Sequence, residues 1–235
     1  MRLELFCFIS ILASSIAMLT APKVIRVLAL HGKGSCADMF EKSLENLMRS
    51  YTIKNSQQVV LKCIDAPFEL NGSESLQWWT LPPNTRSFEA KKYEGFEVSA
   101  QRVLHEISSS NFDIILGHSQ GAILLASLIA SHPEEILPAC ESFILNGVAW
   151  PNPYTDKLEN FEVSLSKNQD VNMLFVIGSN DSINPPKLAT RVANCFRVKN
   201  FNVEICDHDG GHSVPVRNEQ ASQEIIEWMK FAANS

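Results

Sequence analysis

"ILGHSQGAIL", residues 115–124, decides how the rest of the chain is read. Ser119 stands between Gly117 and Gly121, with an apolar run on either side. The residues before it, "FDIILG" (112–117), form a short buried-strand pattern. The residues after it, "GAILLASLIAS" (121–131), are apolar nearly all round, the pattern of a buried helix. Strand, then G-x-S-x-G, then helix is the context of a nucleophile elbow. In such a turn the serine hydroxyl projects from a strained backbone. The glycines leave room for strand and helix to approach. The next amide, that of Gln120, points into the site. The other reading of the same residues is an ordinary polar turn.

Outward from this motif, strands and helices alternate. Strand patterns lie at "KVIRVLALHG" (23–32), "QVVLKCID" (58–65), "SFILNGV" (142–148), "NMLFVIGS" (172–179) and "FNVEIC" (201–206). Helical spacing occupies 37–50, 99–108, 186–197 and 217–233. Alternation of this kind predicts an α/β fold: a mostly parallel central sheet with helices on both faces. Ligands of such sheets sit outside the carboxyl ends of the strands. The loops after the strands are therefore the ones to search.

A serine hydroxyl is a weak nucleophile near neutral pH and needs a base. "DHDGGHSVP" (207–215) follows the last strand and offers His208 and His212. His212 lies beyond two glycines that let the loop fold back over the site, so it is the expected base. His208, flanked by two aspartates, reads as a solvated loop histidine. A lone H-x3-H pair without a third ligand gives poor grounds for a metal site. The acid is expected after a late strand, and "VIGSNDSINPP" (176–186) supplies Asp181. Asp181 also suits a turn cap ahead of the Pro185–Pro186 helix start. Asp113 and Asp170 precede their strands, and Asp207 and Asp209 lie too close in sequence to His212. The oxyanion donors expected for acyl transfer are the backbone amides of Gln120 and of Lys33 in "LALHGKGSC" (28–36). His31 reads as a structural hydrogen-bonding residue.

Residues 66–96 show no sustained period and hold Phe68, Trp78, Trp79 and further apolar residues. Phe68, Trp78 and Trp79 are candidates to line an acyl pocket, with Trp150 as an opposite wall. Equally, these rings can pin the loop to the body.

The 235 residues carry a formal charge of -6 and no Lys/Arg cluster, which argues against nucleic acid as a partner. No internal repeat or composition break divides the chain. The N-terminus differs: Arg2, an apolar run from Leu5 to Ala13, and small residues Ser15 and Ala17 form a signal-peptide pattern. Residues 1–17 are thus expected to be a leader and 18–235 one hydrolase domain. The leader points to the secretory pathway. The alternative is an uncleaved apolar segment, or a start at Met18, with a cytoplasmic location. Five cysteines outside the leader, irregularly spaced, do not form a disulfide framework. Sequons occur at Asn71 and Asn180, and the second would set a glycan beside Asp181.

"LALHGKGSCADMF", "CIDAP", "WW", "YEGFEVS", "GHSQGA", "VIGSNDSINP" and "GGHSVP" occur in this order over residues 23–232. The set resembles the FSH family of serine hydrolases, a group that includes fungal polyketide thioesterases, and it implies a small α/β-hydrolase fold with no large cap domain. The resemblance implies Ser119 as nucleophile, Asp181 as acid and His212 as base. It also implies the Lys33 and Gln120 amides as oxyanion donors. Lys33 departs from the bulky apolar residue the family often has there, which leaves a backbone donor intact but alters the pocket rim. The expected function is cleavage of a small-molecule carboxylic ester or thioester, with no metal or organic cofactor required. The remaining alternatives are a non-catalytic module binding a small apolar ligand, or acyl transfer to an acceptor other than water.

Overall fold

The computed structural model describes residues 24–70, 72, 74–163 and 170–234. The leader and the sequon at Asn71 lie outside the described residues. Among the described residues sixteen elements follow one another, and most coincide with the periodicity of the sequence. They are β1 (Val24–Leu30), α1 (Ala37–Asn55), β2 (Gln58–Ile64), β3 (Phe68–Glu69), β4 (Leu76–Gln77), α2 (Phe96–Ser109), β5 (Ile114–His118) and α3 (Gln120–Ser131). Then come α4 (Pro133–Ile136), β6 (Ser142–Asn146), a 3-10 turn (Asn152–Tyr154), α5 (Thr155–Asn160), β7 (Asn172–Gly178), α6 (Pro186–Arg197), β8 (Asn202–His208) and α7 (Glu219–Ala232).

Six strands form one sheet in the order β2-β1-β5-β6-β7-β8, every pair parallel. The α/β architecture expected from the alternation is the one observed. β1 shows why it is covered on both sides. Ile25, Val27 and Ala29 pack on one face with Phe40, Leu44 and Leu47 of α1 and Ile225 and Trp228 of α7. Leu28 and Leu30 point to the other face, among side chains of α2 and α3. A period of two thus feeds two cores, and the strand from Val27 to Leu30 reads as one apolar run because both faces are covered there, Arg26 before it being exposed. α3 is buried from Gln120 to Ala130, consistent with its lack of a polar side. α7 starts at Asn218, whose side chain accepts from the Ala221 amide and satisfies one of the free donors at the helix start.

The described part of residues 66–96 carries more regular pairing than its sequence suggests. β3 and β4 pair antiparallel, Leu76 bridges to Ser35, and Thr80 bridges to Glu94. The segment is a flap laid across the carboxyl end of the sheet. Among the described residues no helix is long and apolar enough to cross a membrane.

Candidate active site

Ser119 occupies the turn between β5 and α3 with φ 52° and ψ -115°, a conformation that L side chains rarely adopt. Strain of this kind costs roughly 1–3 kcal/mol and persists only where the surroundings enforce it. Here they do. A Cβ at Gly117 would stand 2.6 Å from Ala122 Cα, and one at Gly121 would stand 2.4 Å from the Leu30 carbonyl oxygen. Both glycines are needed for α3 to lie directly on β5 and β1.

Three side chains from three loops meet at this turn. Ser119 Oγ is 2.7 Å from His212 Nε2, and His212 Nδ1 is 2.6 Å from Asp181 Oδ2. The Asp181 carboxylate accepts on its other oxygen from the amides of Ile183 and Asn184, both at 2.8 Å. Its turn-capping role and its contact with His212 therefore coexist, one on each oxygen. With the carboxylate accepting at Nδ1, the proton of His212 sits on Nδ1, and Nε2 is free to accept from the serine. A chain of this form can draw the proton from a serine hydroxyl as it attacks.

The backbone around Ser119 supplies donors. Gln120 opens α3, so its amide has no acceptor within the helix. Lys33 follows Gly32, where an added Cβ would stand 3.2 Å from Ser119 Cβ, so this loop runs against the serine. Among the described residues neither amide donates to a protein acceptor. Lys33, Ser119, Gln120 and His212 line one cavity of about 330 Å³, together with Leu70, Leu81, Ile123 and Ile183.

The aromatic candidates lie elsewhere. Trp78 and Trp79 are wholly buried and do not face the cavity. Trp78 Nε1 donates to the His31 carbonyl at 2.7 Å, and Trp79 stacks on Tyr93 at 4.3 Å between centroids. Trp150 is buried beneath the Arg191 guanidinium, 3.5 Å from its ring centroid, and donates to Thr155 Oγ1. The Phe68 ring packs against Gly95. Burying large rings is their most favourable use, and that use prevails here over lining a pocket. The apolar part of the cavity wall is aliphatic instead, from Leu70, Leu81, Ile123 and Ile183.

His208 is also placed differently from its expectation. β8 runs two residues past Cys206 and pairs His208 with Gly178. The imidazole is therefore buried at a strand end, accepts from the Gly210 amide, and has its pKa lowered chiefly by that burial. It does not line the cavity that His212 lines, and among the described residues no cluster of His, Cys, Asp or Glu is arranged to hold a metal ion. His31 is the structural residue it was expected to be. Its Nδ1 donates to the Gly32 carbonyl and its Nε2 accepts from the Ala66 amide.

Two residues in the quoted motif do more than the sequence disclosed. The Gln120 side chain, 2% exposed, accepts from the Trp78 amide at 2.7 Å and donates to the Trp79 carbonyl at 3.0 Å. It clamps the flap to the serine turn. His118 lines the cavity, stacks on Phe40, and accepts on Nδ1 from Asn146 Nδ2 at 2.8 Å. Burial, followed by the neighbouring His212, pulls its pKa down to about 3, so it stands beside His212 as a neutral ring.

Known proteins share both the fold and the sequence. SOBER1 of Arabidopsis thaliana superposes with a TM-score of 0.66 over 89% of this chain and 99% of its own, at 16% identity. A carboxylesterase of Bacillus cereus does so at 0.60 over 89% of each chain, at 16% identity. In sequence, esterase OVCA2 of Xenopus tropicalis is 28% identical over 221 residues, covering 88% of this chain and 91% of the relative. Esterase GA18864 of Drosophila pseudoobscura pseudoobscura is 25% identical over 206 residues, 83% and 68% of the two chains. The model of the serine hydrolase (FSH1) family matches residues 19–224. With the match spanning every described strand and the turn that carries Ser119, the chain belongs to the FSH1 family of serine hydrolases.

Proposed function

We propose that the chain hydrolyses a carboxylic ester or thioester through an acyl-enzyme on Ser119. The observation that carries this reading is the hydrogen-bonded chain from Ser119 Oγ through His212 to Asp181. In the first half-reaction His212 Nε2 takes the serine proton while Oγ attacks the substrate carbonyl. The tetrahedral oxyanion is held by the amides of Gln120 and Lys33. Asp181 keeps the imidazole in the productive tautomer and stabilises the imidazolium. The imidazolium then protonates the leaving alcohol or thiol, and the acyl group stays on Oγ. In the second half-reaction a water gives its proton to His212 and attacks the acyl carbon, releasing the acid and free serine.

The cavity supports a compact substrate. Its volume of about 330 Å³ is at the low end of the ligand-pocket range of roughly 300–1,000 Å³. Its aliphatic wall suits the acyl chain. The test is hydrolysis of p-nitrophenyl esters from acetyl to palmitoyl, beside acyl thioesters of the same lengths, by wild type and Ser119→Ala. The expected result is turnover that falls by at least about a thousandfold in the variant, with the optimum at a short chain. Equal turnover by both proteins refutes the assignment of Ser119.

A further inference from the structure

The cavity that holds Ser119 is charged against the trend of the molecule. The chain has 26 acidic and 20 basic residues. Yet the cavity is lined by Lys33 and Arg86 and by no Asp or Glu. The two cations come from separate segments, Lys33 from the β1–α1 loop and Arg86 from the flap. The hydroxyl residues Thr85 and Ser87 flank Arg86 on the same wall.

Among the described residues four Lys and Arg side chains are ion-paired. Lys42, Lys62, Lys92 and Arg191 each meet a carboxylate. Among the described residues the ammonium of Lys33 and the guanidinium of Arg86 meet none. Glu89 does approach Arg86, but through the backbone: its Oε2 accepts from the Arg86 amide at 3.3 Å, and it does not line the cavity. Asp181 is 6% exposed behind His212, with both oxygens engaged. Two exposed cations among the residues of one cavity, with no acidic residue lining it, bias its potential toward positive and favour anions.

We propose that the substrate carries an anionic group, a carboxylate or phosphate, that sits against Lys33 and Arg86 while its acyl carbonyl lies at Ser119. This rests on the reading of Ser119 given above. The anion belongs to one of two parts of the substrate. It is either the far end of the acyl chain, as in a monoester of a dicarboxylic acid, or part of the leaving alcohol or thiol.

The experiment uses two pairs of esters matched in size. One pair is the p-nitrophenyl monoester of glutaric acid and p-nitrophenyl valerate. The other is the butyrate ester of 4-hydroxybenzoate and that of 4-hydroxybenzamide. Rates are normalised to uncatalysed hydroxide hydrolysis and taken at low and high salt for wild type, Arg86→Glu, Lys33→Glu and Ser119→Ala. Thermal melts establish that each variant is folded. Exposed ion pairs of this kind lead us to expect a preference for the anion of about 5- to 20-fold in kcat/KM for one pair. The preference should shrink severalfold between about 20 mM and 500 mM salt, as the Debye length contracts. Arg86→Glu and Lys33→Glu should each abolish or reverse it. The pair that responds identifies which part of the substrate bears the charge. Ser119-dependent hydrolysis of the neutral esters with no preference in either pair overturns the inference and leaves the hydrolase reading intact. A preference that survives both high salt and both charge reversals also overturns it. Hydrolysis by Ser119→Ala as fast as wild type overturns the reading of Ser119 and this inference with it.

Discussion

Replacing Gln120 by Met tests whether the serine turn and the flap are one unit. Methionine keeps the side-chain length and volume but can neither accept from the Trp78 amide nor donate to the Trp79 carbonyl. Both backbone groups belong to residues with no solvent exposure, so neither can be rehydrated in place. A buried donor or acceptor left without a partner costs about 1–3 kcal/mol, so the pair costs about 2–6 kcal/mol. At about 2–4 °C per kcal/mol for a domain of this size, the melting temperature should fall by roughly 5–20 °C. The flap also carries Leu81, Thr85, Arg86 and Ser87 of the cavity wall, whereas the Gln120 amide is backbone and survives the change. KM should therefore rise by a larger factor than kcat falls. Gln120→Glu keeps the acceptor for Trp78 but turns a buried carboxylate oxygen toward the Trp79 carbonyl, and should be at least as damaging. The assays are thermal unfolding and steady-state hydrolysis of a short p-nitrophenyl ester. A melt within about 2 °C of wild type would show that the clamp holds nothing. A collapse of kcat at unchanged KM would show that the side chain acts on the reacting atoms rather than on the flap.

Three further outcomes are expected. His118 has a native pKa near 3 against an ordinary value of 6.5, so between these values the unfolded chain binds a proton that the native state does not. Stability then rises with pH across that window and is lost on acidification, by about 1.4 kcal/mol per pH unit. Urea unfolding of His118→Gln between about pH 4 and 6 should show a slope shallower by that amount, and an unchanged slope would mean that His118 is charged in the native state. A Cβ at Gly178 would stand 2.1 Å from the Gly211 carbonyl, so Gly178→Ala should push the loop bearing His212 away from Ser119. A misplacement on the order of 1 Å can cost about a hundredfold in kcat, and activity retained within twofold would refute the coupling. For the leader, mass spectrometry of the protein produced in a secretory eukaryotic host should find a mature N-terminus at Met18, and a retained Met1 would refute cleavage.

Much of this was legible in sequence because it is local. Apolar runs ending in glycine placed β1, β5 and β7, and the strand-to-helix setting of "GHSQG" placed the serine turn. The short helices α4 and α5 were not legible, since four and six residues are too few to show a period. The aromatic flap misled for a different reason. Trp78, Trp79 and Trp150 lie beside the site in sequence and topology, but composition does not say which way a ring points. Their N–H groups disclose the outcome only in three dimensions, where Trp78 and Trp150 find partners in the body of the fold. The Gln120 clamp joins residues 41 and 42 positions apart, and no periodicity encodes such a pairing.

The same long-range bonding explains why three side chains from distant segments hold hydrogen-bond geometry. The sheet's backbone pairing continues past the strand ends. Ser119 N–H donates to the Asn146 carbonyl, Gly147 to Val176, Ser179 to His208 and Asn180 to Gly210, each at 2.8–3.0 Å. Side chains add cross-links over the top: Asn184 Nδ2 to the Gly147 carbonyl, and Asn146 Nδ2 to His118 Nδ1 and, at 3.4 Å, to the His212 carbonyl. Each loop bearing a site residue is thus tied to its neighbour by groups that would otherwise be buried without partners. Freeing one loop would strand donors and acceptors on the next, so the Ser119, Asp181 and His212 loops move only at a cost shared with the sheet. The flap is bound differently. It reaches the serine turn through one glutamine, and the rest of the fold through bonds of Leu76 and Trp78 to the β1–α1 loop and aromatic packing against α2. The position of the serine, histidine and aspartate is therefore a property of the sheet, and the shape of the cavity is set jointly by the flap and the sheet's loops.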